Sequence, residues 1–247
     1  MKIRFILVAA TVLVTSLAQA GTFPGSTSRE PLMRGEVSDR LSIGLGYDRI
    51  NRDIKYSGGL GTDTLRADSI SGYVGYNFVP WLTTFVTAGA TSLRGGEWNS
   101  TDYALRLSGG VNAYFWEGDV LTPAFAAGRI SIKATAEVLR HEADTEAGTS
   151  DWFEFIAAIP IGYEMFDRYP TAKSGVSTSL ALYAGPAISY IDGDLAVLPG
   201  VKQSFGQDQL FGAVAGADVY FAPAVSIGFK ALIFDDISTG ASLRFHF

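Results

Sequence analysis

Apolar and polar residues alternate along most of this chain, which is the pattern of β-strands that separate two unlike environments. In the segment 237–247, Ile237, Leu243, Phe245 and Phe247 share one parity, whereas the other parity carries serine, glycine, arginine and histidine. Three further segments show the same pattern clearly: 36–50, 101–116 and 223–234. The alternation predicts strands with one apolar face and one face of small and polar side chains.

We predict ten strands, with eight or twelve as open alternatives, in the following segments: 36–50, 66–79, 81–93, 101–116, 121–138, 151–165, 175–190, 208–221, 223–234 and 237–247. Two of these segments are less regular than the others. In 81–93 threonine, alanine and glycine obscure the alternation, and in 121–138 the apolar parity changes near Gly128. A β-bulge near Gly128 would explain the change, because one extra residue exchanges the two faces of a strand.

The predicted connections between strands alternate in length. Short ones follow the second, fourth and eighth strands: 79–80, 116–119 and 222–223. Long polar ones lie between the others: 51–65, 94–100, 139–150 and 191–207. The connections 166–174 and 234–236 depart from this rule. Short turns at one rim and long loops at the other are typical of a barrel that crosses a membrane.

The connection 191–207 differs from the other long ones because it is partly apolar, at 195–198, Val201 and Phe205. We interpret it as the one loop that could fold into the barrel as a plug or present a binding surface. The other long connections are rich in Asp and Glu, which indicates solvated surface loops. Since Asp192-Gly193-Asp194 is far shorter than a calcium-binding loop, we expect no metal site.

The first residues have the order of a secretory signal peptide, which we assign to 1–20. Lys2 and Arg4 precede an apolar stretch that is too short to span a bilayer, and Ala18-Gln19-Ala20 forms a cleavage site of small residues. We interpret 21–35, which contains two prolines and mixed charges, as a flexible periplasmic segment. The segment 36–247 is then the folded domain.

The composition narrows the function classes further. Of the 247 residues, 47% are hydrophobic and none is cysteine, which excludes a disordered chain, a disulfide scaffold and thiolate chemistry. The net charge is −6, with 19 basic residues against 25 acidic ones. Because a nucleic-acid-binding surface needs clustered Lys and Arg, we expect no nucleic-acid partner. We also expect no cofactor.

The chain resembles the small outer-membrane β-barrel proteins of Gram-negative bacteria, the broad OmpA-like and porin-like class. The resemblance rests on the signal ending in Ala20, the lack of cysteine, the alternating strands of 36–247 and the terminal sequence Leu243-Arg244-Phe245-His246-Phe247. Clustered aromatic residues at the predicted strand ends fit the interfacial belts of such barrels. No motif of a particular subfamily is present.

This resemblance implies an all-β fold, a single closed antiparallel transmembrane barrel in the outer membrane. Closure is required physically, because hydrocarbon offers no partner to an unpaired backbone N–H or C=O group. The resemblance also implies contact with outer-membrane lipids and lipopolysaccharide, and recognition of Leu243, Phe245 and Phe247 by the barrel assembly machinery. We expect a monomer. The alternative fold is a secreted lipocalin-like or sandwich protein with its apolar parity inside.

If the polar parity faces the lumen, it places four positive and four negative side chains there: Arg40, Arg106, Lys230 and Arg244 with Asp48, Glu154, Glu164 and Asp218. Balanced charges in a confined space are expected to pair or to be hydrated. We therefore predict a blocked barrel with a structural or surface-interaction role. The alternative is a narrow passive channel for small solutes.

A catalytic function is the hypothesis that the sequence supports least. The predicted number of ten strands is similar to that of the omptin proteases, whose catalytic Asp and His residues lie at the outer rim. His141, together with Asp144 and Asp151, falls in the corresponding kind of loop. Nothing matches the paired motifs of that family. We interpret His141 as a solvated loop residue, place His246 in the lumen with Arg244, and expect no catalytic residue. A surface hydrolase is the third hypothesis.

Overall fold

The computed structural model of the protein describes residues 41–58, 61–79, 81–94, 100–120, 128–166, 179–222 and 225–247. The predicted signal peptide and the predicted periplasmic segment lie outside the described residues, as does Arg40. Among the described residues, no helix is long and apolar enough to cross a membrane.

The described chain forms thirteen strands in a single antiparallel sheet. Their bounds are β1 Leu41–Tyr56, β2 Thr62–Val79, β3 Leu82–Leu93, β4 Ser100–Asp102, β5 Ala104–Val120, β6 Gly128–Thr145, β7 Gly148–Ala158, β8 Ile161–Phe166, β9 Ser179–Leu198, β10 Val201–Gln207, β11 Phe211–Ala222, β12 Val225–Ile233 and β13 Ile237–His246.

The sheet closes on itself, because β1 pairs with β2 on one side and with β13 on the other. The ring runs from β1 through β2, β3, β5 and β6 to β7, and then through β9, β11, β12 and β13 back to β1. β8 continues the position of β7 between β6 and β9, because Ile159 and Pro160 interrupt one long strand. The ring therefore has ten positions, which confirms the predicted closed antiparallel barrel.

The two ends of the barrel differ. One end, here called the terminal rim, carries Leu41 and His246 together with the turns after β2 and β11. The other end, here called the hairpin rim, carries the turns after β1, β6, β9 and β12. β4 pairs with β6 close to this rim, and β10 pairs there with β9 and β1, so both raise the wall without adding a position to the ring.

Three of the predicted long loops are wrong, because most of their residues are strand. The segments 51–65, 139–150 and 191–207 extend the flanking strands and reverse in tight turns. Glycines with positive φ lie at these turns: Gly58 (86°), Gly61 (117°), Gly148 (132°) and Gly200 (79°). Only glycine adopts such φ values without strain. The polar residues of these segments lie mainly on the outer face of the raised wall, which is why the sequence analysis predicted loops there.

The segment 191–207 does not form a plug, one of the two roles considered for it, because it continues the wall. Its first half pairs with β7, where Asp194 lies opposite Asp151, and its second half pairs with β1, where Gln207 lies opposite Ile54. Leu195 and Phe205 point inward from the wall and are buried. The segment contributes side chains to the interior rather than backbone.

The fourth and fifth predicted strands differ in their bounds from the observed ones. The predicted turn at 116–119 lies within β5, and β6 covers Gly128–Thr145 rather than 121–138. Arg129 on β6 forms ion pairs with Glu117 (3.8 Å) and Asp119 (2.8 Å) on β5, and these pairs lengthen the hairpin. The register shift lies in β5, between Tyr114 and Trp116, and not near Gly128. The residues 121–127 lie outside the described part of the chain.

The outer face carries a continuous band of exposed apolar side chains, here called the belt. Its members come from around the ring and include Leu45, Ile70, Val74, Val86, Leu107, Val111, Val138, Leu182, Ile188, Ile233 and Leu243. Burying this much apolar surface in water-free surroundings is strongly favourable, and an isolated soluble monomer rarely leaves such a band exposed. The belt therefore requires an apolar environment around the barrel.

The barrel interior as the candidate functional site

The interior is where the inward parity places most of the ionisable residues that the sequence analysis singled out. Six of them are buried inside the barrel: Asp48, Arg106, Glu154, Asp218, Lys230 and Arg244. Glu164 is half-buried near the terminal rim, where it accepts a hydrogen bond from the Ser179 hydroxyl (2.9 Å). Arg40 lies outside the described residues. Leu243, Phe245 and Phe247 are exposed on the outside, as β13 alternates.

Arg106 and Asp48 form the tightest ion pair of the mid-barrel. The Arg106 Nη2 atom lies 3.1 Å from Asp48 Oδ2, and Nη1 donates to the Thr87 hydroxyl at 3.2 Å. The Thr87 and Ser108 hydroxyls are 2.6 Å apart, and Ser108 donates in turn to Glu137. A chain of hydrogen bonds thus joins the neighbouring strands β3, β5 and β6 along the inner face of the wall.

Arg52 and Glu154 form a second pair closer to the hairpin rim. Arg52 Nη2 lies 3.6 Å from Glu154 Oε1, while Nη1 donates to the Asn51 carbonyl (3.0 Å) and to the Ser238 hydroxyl. The guanidinium also stacks over the Phe234 ring at 4.5 Å from its centroid, a cation–π contact. The other carboxylate oxygen of Glu154 lies 3.9 Å from His141 Nε2.

His141 is inside the barrel, so its interpretation as a solvated loop residue is wrong. Its ring stacks on Trp152 with centroids 4.8 Å apart and planes 5° apart, and Nδ1 lies 3.1 Å from the Thr91 hydroxyl. His141 belongs to the inward parity of β6, which runs to Thr145. Asp144 and Asp151 lie on the outward parity of β6 and β7, so the wall separates them from the imidazole.

Above this layer the interior becomes apolar. Inward side chains from seven strands form a buried cluster, here called the apolar cap: Ile50, Ile54, Leu65, Ala67, Leu93, Ala143, Trp152, Ile191, Leu195 and Phe205. These residues interleave with the outward polar residues of the raised wall. Most of these residues lie in segments that the sequence analysis predicted as loops, so it did not predict the apolar cap.

The interior near the terminal rim is polar and aromatic. Arg244 lies over the Tyr73 ring at 5.2 Å, and His246 Nε2 is 2.9 Å from the Ser226 hydroxyl. Lys133 lies over the Tyr114 ring at 4.9 Å. His246 is thus inside with Arg244, where the sequence analysis had placed it.

Glycines on the inward parity make room for the large side chains that fill the barrel. A Cβ on Gly110 would lie 2.3 Å from Phe85 Cζ, and a Cβ on Gly216 would lie 2.2 Å from Tyr183 Oη. A Cβ on Gly228 would lie 2.4 Å from the Asp218 carboxylate. Such distances are far shorter than a van der Waals contact, so these strand positions accept only glycine while their neighbours fill the lumen.

Two small cavities lie inside the described part of the barrel. A cavity of about 30 Å³ lies among the mid-barrel charges Asp48, Arg52, Arg106, Glu154 and Lys230. A second cavity of about 20 Å³ lies nearer the terminal rim, beside Lys133 and Glu164. Each has room for one or two water molecules. Among the described residues, no three His, Asp or Glu side chains lie close enough together to hold a metal ion.

Four interior residues were missed by the sequence analysis: Arg52, Lys133, Glu137 and Trp152. Arg52 and Trp152 continue the inward parity of β1 and β7, but Arg52 was assigned to a loop and Trp152 was counted among the clustered aromatic residues at the predicted strand ends. Lys133 and Glu137 share a parity opposite to Ile130 and Ile132, and extending that alternation through β6 would have found both.

Comparisons with known proteins give similarity of structure only. No protein-family model matches the sequence, and no curated protein matches it significantly. The outer-membrane protease OmpT of Escherichia coli matches over 87% of this chain and 99% of its own, with 12% identity and a TM-score of 0.40. Omp33 of Acinetobacter baumannii matches over 85% and 99%, with 11% identity and a TM-score of 0.28.

A third match is OmpF of Salmonella typhi, solved in complex with daunomycin, over 83% of this chain and 97% of that one, with 10% identity and a TM-score of 0.18. All three are outer-membrane β-barrels. The ring of ten strands, the belt and the ionic interior give this chain the architecture of that class of protein.

Proposed function

We propose that this protein is an integral outer-membrane β-barrel with a sealed lumen, acting as a structural or surface-interaction component of the membrane. The belt supports the membrane location, because the backbone groups of the ring pair within it and its outside is apolar. Because β1 begins and β13 ends at the terminal rim, we place this rim on the periplasmic side and the hairpin rim on the outer side of the membrane.

The proposal of a sealed lumen rests on the burial of the side chains near the middle of the barrel. Arg52, Arg106, His141, Trp152 and Glu154 project from four different strands, and none exposes more than 2% of its surface. In a hydrated channel these side chains would line the water column and count as exposed. Their contacts with one another, together with the apolar cap above them, support a lumen that is blocked at this level, where the cavity beside them has room for one or two water molecules.

We also propose that the role is not enzymatic. The histidine that the sequence analysis considered for catalysis stacks on Trp152 inside the barrel, where a surface substrate does not reach it. General acid–base catalysis requires a group within hydrogen-bond reach of the substrate. The similarity to OmpT is a likeness of barrel shape at 12% identity, and no activity follows from it.

Single-channel recording tests the sealed lumen. We expect refolded wild-type protein to insert into planar bilayers without stable conductance steps, and heat-modifiable migration of the same preparation on a gel serves as the control for folding. The result against the proposal would be reproducible steps in the wild type whose size or ion selectivity changes on Arg106→Ala. That result would favour the narrow passive channel.

A further inference from the structure

Two prolines lie on neighbouring strands of the barrel wall. Pro160 lies in the interruption between β7 and β8, and Pro186 lies within β9. β7 and β8 keep a single register against β6 and a single register against β9, so the interruption adds no residue to the wall. Ile159 therefore lies opposite Pro186, and Pro160 lies opposite Lys133 on β6. We call Ile159, Pro160 and Pro186 the proline seam.

The proline seam has fewer backbone hydrogen bonds than a complete ladder. The Ile159 N–H donates to the Pro186 carbonyl (3.0 Å), and the Lys133 N–H donates to the Pro160 carbonyl (3.1 Å). In an antiparallel ladder each such pair exchanges two hydrogen bonds, but proline has no N–H group and cannot donate the second one. At the seam the strand is therefore held by one bond instead of two on the side of β9, and likewise on the side of β6.

The proline seam lies within the belt. Leu182 and Ile188, which belong to the belt, lie on β9 on either side of Pro186, and Ile159 exposes 52% of its surface on the outer face. Hydrocarbon offers no substitute for a missing backbone hydrogen bond, whereas water does. The closed wall is therefore less stable at the seam, and an opening that lets water reach the carbonyl groups costs less there than at a complete ladder.

β8 is the short piece of wall between the proline seam and the terminal rim, and it covers an interior space. Its six residues pair with β6 and β9. The cavity of about 20 Å³ lies behind it, lined by Gly162 and Glu164 of β8 together with Ser131 of β6 and Ala181 of β9. Gly162 contributes no side chain to the interior, and Glu164 accepts a hydrogen bond from the Ser179 hydroxyl (2.9 Å). The weakened ladder and the cavity therefore adjoin the same strand.

We propose that β8 is a movable flap of the wall, hinged at the proline seam, which opens laterally and connects the cavity behind it with the membrane. The inference goes beyond a sealed lumen and rests on the proposed membrane location, because only hydrocarbon makes the missing hydrogen bonds costly. The middle of the barrel stays blocked when the flap opens, since Arg106 and Glu154 lie on the hairpin side of the seam.

A single introduced thiol tests the flap, since the chain contains no cysteine. Ser131→Cys places the thiol in the cavity behind β8, and its rate of reaction with a maleimide dissolved in the bilayer is measured in vesicles. We expect this thiol to be labelled, and to be labelled roughly 25-fold more slowly when Pro160→Ala/Pro186→Ala is added, at about fivefold for each restored hydrogen bond. The matched control Pro199→Ala, in the turn after β9, is expected to leave the rate unchanged.

Three results would overturn the proposal. The first is an equal labelling rate with and without the two prolines, and the second is equal labelling of a thiol at the buried Thr83 on β3. The third is equally fast labelling by a charged maleimide in the water, which would mean access through the terminal rim.

Hydrogen exchange of the β8 amides provides a second measurement that needs no thiol. Exchange is expected to slow by the same factor in Pro160→Ala/Pro186→Ala, and unchanged exchange would also overturn the proposal. Heat-modifiable migration checks that every variant is folded. Failure of the flap leaves the sealed membrane barrel intact, since the conductance test does not involve the proline seam.

Discussion

Replacing Glu154 by leucine is expected to lower the free energy of unfolding by about 3–5 kcal/mol, because it leaves a buried charge without its partner. Arg52 lies wholly inside the barrel with its guanidinium 3.6 Å from the Glu154 carboxylate. A guanidinium does not lose its proton in proteins, so it has no neutral state to adopt. Urea unfolding in phospholipid vesicles, followed by tryptophan fluorescence, measures the loss.

Two further variants show whether that loss comes from the unpaired charge. The double variant Arg52→Met/Glu154→Leu removes both charges and is expected to recover most of the stability, since apolar residues of similar size replace buried ion pairs well. The exposed pair of Lys202 and Asp151 is the matched control, and Asp151→Asn is expected to cost about 0–1 kcal/mol. Equal losses for Glu154→Leu and Asp151→Asn would contradict a dry, sealed interior.

Placing an arginine in the middle of the belt is the second substitution with a large expected effect. Val86 lies near the centre of β3, points outward and exposes 59% of its surface. Val86→Arg is expected to destabilise the barrel in vesicles by about 2–4 kcal/mol, the cost of a cation at the bilayer midplane. The same unfolding measurement in vesicles detects it.

Ser92→Arg provides the comparison within the same strand. Ser92 lies six residues further along β3 on the same outward parity, one residue before the end of the strand near the hairpin rim and opposite Asp68 in the register. There an added arginine is expected to change the stability by at most about 1 kcal/mol. A harmless Val86→Arg, or equal costs at both positions, would mean that hydrocarbon does not surround the belt.

The closed barrel could be predicted from sequence because alternation is a local signal. Along β13 and the first half of β1, one face contacts lipid and the other faces a polar interior. The polarity of each residue therefore indicates the face on which it lies. The outward residues there are apolar and the inward ones include Asp48 and Arg244. This contrast predicts which face of each strand points outward.

The part of the wall near the hairpin rim could not be predicted in this way, because the polarity of its two faces is reversed. Beyond the belt the outer face is polar and the inner face holds the apolar cap, so residues such as Ile54 and Leu195 looked like isolated apolar residues in loops. The strands that these residues extend are joined by tight turns, whereas the sequence analysis predicted long loops between them. The strand ends were misplaced for the same reason.

The contacts of the interior could be predicted least. Alternation says that Arg106 and Glu154 face inward, but which partner each one meets depends on the stagger of the strands and on distant residues in the chain. Arg52 was assigned to a loop although its own strand orients it like Asp48. The stacking of His141 on Trp152 joins neighbouring strands whose register the sequence alone did not fix.

Quenching of single tryptophans tests the central claim most directly, namely a barrel with lipid outside and a dry interior. Trp116 is exposed on the outward face of β5, opposite Ile132, whereas Trp152 is fully buried inside. Two variants in vesicles, each keeping one of these residues with the other tryptophans replaced by phenylalanine, are exposed to brominated lipid and to aqueous acrylamide. We expect brominated lipid to quench Trp116 and neither agent to quench Trp152. Strong quenching of Trp152 by acrylamide, or no quenching of Trp116 by the lipid, would contradict a sealed membrane barrel.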